Sequence, residues 1–573
     1  MADSTTITAA ITLTKQALSY VPNNYGLKDM PNSFILKEPS SRLPTQPAFG
    51  DAMAFSAGLI MPFSFEPFGL YGLSIAALAL LFHTLIEATP RRAFWRGWIF
   101  GVAMFGVGVF WIHESFKFAA VALPLALLLT GILVTILAFY PALFGLLVTL
   151  RSPRRPKPIF SSLPLFSLPS IAPLAGFSLL VLPAGWVLQE WIRGWFLSGF
   201  PWLQLGYAHV DSPLAGFGPL LGVYGVGWSA AISAGLAWLI FYLLAGHNKF
   251  GIRKRVIGFL ALLVLGCGFW IGGTALRHIS WTTPIGTPIQ VALVQGNVSQ
   301  DIKWQPSQRQ PTLDRYLSLT RQENKRDLVI WPETALPGFY RDFADFTHHL
   351  RQEARDSDTH ILLGTVVIDE DTRQYFNSVV AVTDNEDAFY HKRHLVPFGE
   401  YLPLAEILQG ILDFLMIPMP NLSPGPSIQP PLNAAGQVIG ASVCYESSFG
   451  RDILLSLPKA TLLVNISNDA WFGDSLGPHQ NLQMARMRAQ ESGRYLLRGT
   501  NTGISALIDP KGRIIGHALQ FQTSVVTGTV TGMVGTTPYV EYGDTLIILL
   551  ALAILIIGLY IVHKKAFHQS LYS

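Results

Sequence analysis

Three side chains with complementary chemistry stand far apart in the second half of this 573-residue chain: Glu333, Lys392 and Cys444. A thiol with a free pKa of about 8.5 is mostly protonated at neutral pH, so a nucleophilic cysteine needs a base or a nearby cation. Glu333 follows an Ile-Trp-Pro run and would serve as that base, because an apolar pocket raises the pKa of a carboxyl group. Lys392 would favour the thiolate and then the oxyanion formed when a carbonyl is attacked, with the backbone N–H of Tyr445 as a second oxyanion donor. Together these groups predict acyl transfer through a thioester.

Each of the three residues also has a purely structural interpretation. A lone buried cysteine usually packs as a small hydrophobic residue. A glutamate that follows a strand is usually solvated, and Lys392 stands in a His-Lys-Arg-His run of the kind that is usually exposed. The chemistry of the side chains alone therefore leaves the catalytic and the structural interpretations evenly balanced.

The elements that must position these groups are short apolar segments with the composition of buried strands. Segments patterned as helices, 343–356 and 479–494, alternate with them, and this alternation predicts an α/β fold. One strand ends just before Glu333 and another at Cys444, and the carboxyl ends of strands are where sites collect in layered α/β folds. The predicted strands are 289–298, 327–333, 360–367, 377–383, 438–445 and 461–468.

The first half of the chain has the character of a membrane domain. Only 13% of all residues are charged, and the mean hydropathy is +0.37, whereas an average soluble domain carries about 25% charged residues. A spanning helix needs about 20 apolar residues, and we predict about seven such helices within 46–280 and one at 545–563. The apolar segments are 50–65, 68–87, 97–112, 122–149, 171–189, 221–245, 256–275 and 545–562.

Basic residues occur in alternate loops between these segments, and the intervening loops hold almost none. By the positive-inside rule, this alternation places both termini in the cytoplasm and residues 286–540 on the opposite side of the membrane. Residues 1–45 are polar and contain no signal-peptide core, and we interpret them as a cytoplasmic extension. The basic residues are Arg91, Arg92, Arg96, Arg151, Arg154, Arg155, Lys157, Lys249, Arg253, Lys254, Arg255, Lys564 and Lys565.

Composition argues against several classes of function. The net charge of +4 is small and no basic patch alternates with aromatic residues, so nucleic acid is not an expected partner. The two cysteines, Cys267 in an apolar run and Cys444 in the polar half, predict neither a disulfide bridge nor a metal site. The predicted spans hold very few charged residues, which disfavours a transporter or receptor whose outer domain only binds.

One polar group in the membrane half has two interpretations. Glu190 and Arg193 lie at the end of the fifth span and are followed by Gly-Phe-Pro-Trp at 199–202. They would form either an aromatic belt with an ion pair that reaches to the membrane surface, or a binding surface for lipid or for the outer domain.

The sequence motifs around these residues resemble those of a known family. The Glu-Lys-Cys set resembles the nitrilase superfamily, whose members use it for thioester or thioimidate chemistry within an αββα sandwich. Further sequence motifs, in order along about nine-tenths of the chain, closely resemble those of the apolipoprotein N-acyltransferase family. They are GWFLSGFPWLQLGY (194–207), LVQGN (293–297), WPET (331–334), LVPFGEYLP (395–403), VCYE (443–446), SNDAWFGDSLGP (467–478) and QMARMRAQE (483–491). The extension to residue 45 does not match the family pattern and is either a tail or a segment upstream of a later start, such as Met53.

The resemblance implies a two-step reaction in a bacterial inner membrane, with the catalytic domain in the periplasm. Cys444 would take an acyl chain from a phospholipid, typically phosphatidylethanolamine, and the α-amine of a diacylglyceryl-cysteine on an apolipoprotein would then attack the thioester. Glu333 would act as the base in both steps, and Lys392 would stabilise the tetrahedral intermediates. The resemblance implies no metal, nucleotide or other cofactor.

The resemblance also implies further site residues. It suggests that Glu400 and Glu446 support the triad and the substrate. It places the aromatic residues Trp304 and Tyr445, and also Asn377, close to the triad, and Trp471 and Phe472 in an apolar loop near the entrance.

Two alternatives remain open at this point. Residues 404–419, apolar at near-helical spacing, are either core or an interfacial lid that admits an acyl chain, and we prefer the lid. The nearest rival function is a membrane-anchored amidohydrolase of the nitrilase type, with water as the second nucleophile. The GFPWLQ and DAWFGDS motifs argue against an amidohydrolase. The presence of seven spans argues against it too, because one span would be enough to anchor a hydrolase.

Overall fold

The membrane half consists of long apolar helices. The computed structural model describes residues 47–570 apart from 87, 120, 151–171, 246–251, 324–325, 384–385 and 402–421, so the N-terminal extension and the predicted lid lie outside the described residues. The long helices of this half are α1 Pro47–Ile60, α2 Gly72–Leu85, α3 Pro90–Gly108, α4 Leu123–Thr149, α5 Leu182–Arg193, α6 Gly218–Leu244 and α7 Ile252–His278. Short helices at Ile112–Ser115 and Ala172–Gly176 precede α4 and α5.

Each predicted span overlaps helix within the described residues, and the eighth overlaps the C-terminal helix Thr545–Ser570. Within the described residues, four helices are long and apolar enough to cross a membrane, or five if the bent pair Pro90–Gly108 and Ile112–Phe118 forms one span. Gly72–Leu85 and Thr545–Gly558 are shorter apolar helices. The fold therefore contains apolar helices that could span a membrane, and the count of eight spans stays a prediction.

The second half contains two six-stranded sheets. The first has the strand order β12-β1-β2-β3-β4-β5 and the second β11-β10-β9-β8-β7-β6. Strands β1, β2 and β3 run parallel to one another, as do β7, β8 and β9. The strands are β1 Thr283–Gln295, β2 Leu328–Ile330, β3 His360–Ile368, β4 Tyr375–Val382, β5 Ala388–His391, β6 Leu432–Ala434, β7 Gln437–Val443, β8 Leu462–Ser467, β9 Leu496–Thr500, β10 Ala506–Ile508, β11 Ile514–His517 and β12 Ser524–Val534.

The two sheets face each other and helices cover their outer faces, which confirms the predicted αββα sandwich. Val291 and Leu362 of the first sheet share a buried apolar core with Val443 and Val464 of the second. On the outside, Leu350 packs against the first sheet from a covering helix. The long helices of this half are α8 Pro306–Gln322, α9 Ala344–Asp356, α10 Leu476–Ser492 and, after the sandwich, α11 Thr545–Ser570; short helices are Gln300–Lys303, Gly450–Leu454 and Pro538–Tyr542.

The sequence identified the strands that carry the chemistry. All six predicted strands are present as β1, β2, β3, β4, β7 and β8, and the two predicted helices are α9 and α10. Because β2 ends at Ile330 and β7 ends at Val443, Glu333 and Cys444 both lie just beyond the carboxyl end of a parallel strand.

Candidate active site

Cys444 opens a tight turn at the end of β7. It begins the single-turn helix Cys444–Ser448, and its φ of +50° lies in the left-handed region. A non-glycine residue in that region is strained by roughly 1–2 kcal/mol, so the turn must be held by its neighbours. One contact is the amide of Asn465, which donates to the Cys444 carbonyl over 3.4 Å. The Cys444 side chain is buried.

Glu333 is fixed by two hydrogen bonds to its carboxylate. The side-chain amide of Asn377 donates to one oxygen over 2.7 Å, and the backbone N–H of Asn468 donates to the other over 2.7 Å. Only 6% of Glu333 is exposed, so the solvated glutamate considered as a structural alternative is wrong. Burial raises the pKa of Glu333, and the nearby Lys392 ammonium opposes that rise.

Lys392 lies in an equally enclosed position. It is 1% exposed, so the surface lysine considered from the sequence is also wrong. Its Nζ donates to Glu400 over 2.9 Å and lies 2.8 Å from the other oxygen of that carboxylate. Glu400 also accepts from Asn377 over 3.1 Å and from the backbone N–H of Val396 over 2.8 Å. Asn377 therefore joins the two carboxylates that flank the amine.

The three predicted groups are close together: Glu333 and Lys392 both shift the pKa of Cys444, and Glu333 and Cys444 both shift the pKa of Lys392. Burial raises the pKa of the Cys444 thiol to about 12, with Glu333 adding to the rise and Lys392 opposing it. Burial disfavours the Lys392 ammonium, but Glu400, Glu333 and the thiol outweigh that effect, and the pKa of the amine is raised. The Lys392 charge favours the thiolate, in the predicted direction, but burial of the thiol has the larger effect. At neutral pH the thiol is therefore protonated, and the buried Glu333 carboxyl group is close enough to affect its pKa.

Gly364 makes room for the backbone of Glu333. A Cβ at Gly364 of β3 would lie 2.6 Å from the Cα of Glu333, inside the distance that any real Cβ contact shows. The backbone that carries Glu333 thus passes directly over β3, and this close approach depends on the missing side chain.

Glu446 holds the Cys444 turn against the loop that carries Lys392. Its carboxylate is fully buried and accepts from the backbone N–H groups of Val443, Arg393 and His394 over 2.7, 2.7 and 3.2 Å. The Tyr390 hydroxyl donates to the same carboxylate over 3.0 Å. Because these bonds come from both the Cys444 turn and the Lys392 loop, Glu446 sets the distance between these two segments.

Tyr445, the residue after Cys444, joins the sandwich to the membrane half. Its hydroxyl donates to the Gly199 carbonyl over 2.9 Å, and its ring stacks on Trp202 with centroids 5.7 Å apart. Nearby, the Tyr207 hydroxyl donates to the Ser448 carbonyl over 3.0 Å. The Cys444 turn is therefore supported from the membrane side.

The pair Glu190 and Arg193 positions this junction. Both side chains are 1% exposed, so the ion pair reaching to the membrane surface is wrong. Arg193 donates to the carbonyls of Phe200 and Trp202 over 2.7 and 2.5 Å, and Glu190 accepts from the Leu205 N–H over 2.8 Å. The loop they hold is the surface on which Tyr445 docks, which agrees with the alternative of a binding surface for the outer domain.

The remaining predicted aromatic residues lie at the periphery. Trp304 is 50% exposed and follows the single-turn helix Gln300–Lys303. Trp471 is 38% exposed and meets Phe118 edge to face, while Phe472 contacts Trp111 with centroids 4.6 Å apart. The loop with Trp471 and Phe472 thus packs on the segment after α3.

Two residues that contact Glu333 were not predicted from the sequence. Asn468 supplies the backbone N–H on Glu333, and its side chain donates to Gln300 over 2.7 Å. Lys303 is 1% exposed and donates to the Glu333 carbonyl over 3.2 Å. Both residues were close to predicted features of the sequence. Asn468 lies within the SNDAWFGDSLGP motif, and Lys303 directly precedes Trp304.

Comparison with known proteins assigns the two halves. The family model "Carbon-nitrogen hydrolase" matches residues 290–539, and "Apolipoprotein N-acyltransferase N-terminal domain" matches 57–236. The apolipoprotein N-acyltransferase of Methylococcus capsulatus is 41% identical over 497 residues, covering 86% of this chain and 92% of that protein. The chain belongs to the apolipoprotein N-acyltransferase family.

A second member of this family, from Azotobacter vinelandii, is 41% identical over 528 residues, covering 91% of this chain and 97% of that protein. Among solved structures, Nit3 of Saccharomyces cerevisiae, a member of branch 10 of the nitrilase superfamily, covers 43% of this chain and 91% of its own, with a TM-score of 0.33 and 20% identity. Family membership confirms the predicted acyltransferase and does not favour the amidohydrolase alternative.

Proposed function

We propose that this enzyme moves an acyl chain from a membrane phospholipid to the N-terminal α-amine of a diacylated apolipoprotein, through a thioester on Cys444. The observation that carries the proposal is the position of the thiol, beside a buried base and on a turn that the membrane half supports through Tyr445. A donor that resides in a bilayer requires its nucleophile at such a junction. Membership of a family named for this transfer supports the same conclusion.

In the first step, the Cys444 sulfur attacks the ester carbonyl carbon while Glu333 accepts the thiol proton. A base is required because the thiol pKa of about 12 leaves almost no thiolate at neutral pH. The oxyanion forms beside the Lys392 ammonium, with the backbone N–H of Tyr445 as a second donor. The carbon–oxygen bond then breaks, Glu333 returns its proton to the departing lysophospholipid alkoxide, and the acyl chain remains on sulfur.

In the second step, the α-amine of the acceptor cysteine attacks the thioester carbonyl. Glu333 accepts a proton from the attacking nitrogen, and Lys392 again faces the oxyanion. When the carbon–sulfur bond breaks, the sulfur recovers the proton from Glu333, so the product is an amide and the enzyme returns to its starting state. Glu400 and Asn377 hold Lys392 and Glu333 in register throughout.

The finer assignments are also part of the proposal. The donor is phosphatidylethanolamine, the membrane is the bacterial inner membrane, and both termini are cytoplasmic with the catalytic domain in the periplasm. These assignments are supported by the regular alternation of basic loops and by the family. Trp304, Trp471 and Phe472 contribute aromatic surface around the substrate path.

Intact-mass measurement after incubation with phosphatidylethanolamine vesicles tests the thioester. We expect an added acyl mass on the wild-type enzyme that hydroxylamine removes and that Cys444→Ala lacks. Cys267→Ala is the matched control, because Cys267 is the other cysteine of the chain, and it should keep the adduct. Adding a diacylated lipopeptide should then give triacylated peptide. Release of free fatty acid without peptide acylation would contradict the transferase.

A further inference from the structure

Lys303 is a buried amine that contacts Glu333 and has no role in the two proposed steps. Lys303 ends the single-turn helix Gln300–Lys303, which follows β1. Its Nζ donates to the carbonyl of Glu333 over 3.2 Å and to the hydroxyl of Thr334 over 2.5 Å. A buried ammonium is costly unless it is paired and hydrogen-bonded, so a lysine that is 1% exposed at this position needs a reason.

The turn that Lys303 grips is strained. Thr334, the residue after the base, has a φ of +50°, a conformation that is unfavourable for a β-branched residue. The backbone of Glu333 also rests on Gly364, with space for no side chain between them. Lys303 and Gly364 therefore both pack against the strained turn.

The helix that carries Lys303 is tied to the other contact of the base. Asn468 donates its backbone N–H to the Glu333 carboxylate over 2.7 Å and its side-chain amide to Gln300 over 2.7 Å. Just before this helix, the Val298 carbonyl accepts from the side-chain amide of Asn501 over 2.8 Å. The segment before Trp304 thus has a fixed position relative to both ends of the Glu333 side chain.

We propose that Lys303 is a positioning residue for the base: its ammonium group clamps the Glu333–Thr334 turn and places a positive charge that keeps the Glu333 carboxylate ionised beside the protonated thiol. This inference rests on the proposed role of Glu333 as proton acceptor. It gives the buried lysine two separable effects, one on geometry through hydrogen bonds and one on the proton affinity of the base through charge.

The electrostatic surroundings support the second effect. Glu333 faces the cations Lys392 and Lys303 and the carboxylate Glu400, and the two cations lower its pKa against the effect of burial. Burial lowers the pKa of Lys303 itself to about 8, while Glu333 acts to raise it. Lys303 is therefore mostly charged at neutral pH, and its removal should raise the pKa of Glu333.

The test compares Lys303→Met and Lys303→Arg with Thr334→Val across pH 5 to 9. Two rates are measured on the full-length enzyme: acyl-adduct formation from phosphatidylethanolamine vesicles, and alkylation of Cys444 by iodoacetamide, which needs no lipid. In Lys303→Met, the midpoint of the acidic limb should move up by about one pH unit, so the rate at the acidic end should fall roughly tenfold further than at the alkaline end. Lys303→Arg and Thr334→Val keep the charge and should keep the wild-type midpoint.

Each result separates charge from structure. A uniform loss of rate in Lys303→Met with an unchanged midpoint would overturn the electrostatic part, and an equal shift in Thr334→Val would assign the effect to geometry alone. Lys303→Gln, which is neutral but retains a donor, provides the same comparison if thermal melting shows that Lys303→Met is unfolded. If the wild type is alkylated but never acylated by lipid, the proposed function fails, while the alkylation midpoints still test Lys303.

Discussion

Glu446→Gln isolates the part that one buried carboxylate plays in assembling the site. The substitution conserves size and removes a charge. One carboxylate oxygen accepts from the N–H groups of Arg393 and His394, and the other accepts from the N–H of Val443. The glutamine carbonyl can replace the first oxygen, but its NH₂ group then faces the Val443 N–H, donor against donor.

The expected magnitude follows from that count. One buried backbone N–H loses its acceptor, which costs about 1–3 kcal/mol. Because the bonds of Glu446 set the spacing between the Cys444 turn and the Lys392 loop, we also expect the rate of acyl-adduct formation to fall about 10²-fold, the size of effect that a 1 Å misplacement produces. Glu446→Ala leaves three N–H groups without an acceptor and should destabilise the domain roughly three times as much.

The assay combines single-turnover mass spectrometry with thermal melting in detergent. Glu370→Gln is the matched control, since Glu370 is 69% exposed and pairs with the exposed Arg341, and it should change neither quantity. If Glu446→Gln melts and reacts like the wild type, the argument that this carboxylate fixes the geometry of the site is refuted.

Three further predictions concern neighbouring features. Tyr445→Phe leaves the buried Gly199 carbonyl without its donor and should lower the melting temperature of the full-length enzyme by an amount equivalent to about 1–3 kcal/mol, whereas Tyr542→Phe, at a 53% exposed ring, should not. Gly364→Ala places a methyl group 2.6 Å from the Cα of Glu333 and should slow acyl-adduct formation by at least about 10²-fold in the single-turnover assay. Because burial raises the pKa of Glu333, which must be ionised to accept a proton, the adduct rate measured against pH should be lost on acidification at a higher pH than an ordinary carboxyl group would give; a midpoint at or below about 4.5 would contradict this.

The sequence was informative wherever a residue follows a strongly patterned strand. Glu333 and Cys444 could be placed together because each follows a regular apolar segment, and sites collect at the carboxyl ends of strands in layered folds. Lys392 was paired with them by chemistry and by resemblance, since the strand before it, β5 Ala388–His391, is short and was not predicted.

The features that escaped prediction depend on contacts between distant segments. Lys303 and Asn468 reach Glu333 across 30 and 135 residues, and neither spacing leaves a local pattern. Strand β9 was not predicted because it contains Arg498, a residue that strands rarely bury. Here Arg498 is fully buried and forms two 2.9 Å bonds to Asp469, so a tertiary ion pair overrides the composition of the strand.

The burial of Glu190 and Arg193 has the same origin. Read along the helix alone, a charged pair at the end of α5 suggests exposure at a membrane surface. The structure instead folds the 199–205 loop back over the pair, and the carbonyls of Phe200 and Trp202 satisfy the guanidinium. Only the path of the following loop decides between these outcomes.

Tyr445 stacks on Trp202, and the nearby Tyr207 hydroxyl donates to the Ser448 carbonyl. The sandwich therefore depends on residues of the helical half to complete its packing around the Cys444 turn. Without the helical half, the Tyr445 ring next to Cys444 and the Ser448 carbonyl would lose these partners and face solvent. The helical half is thus part of the support of the Cys444 turn, and a simple lipid anchor could not replace it.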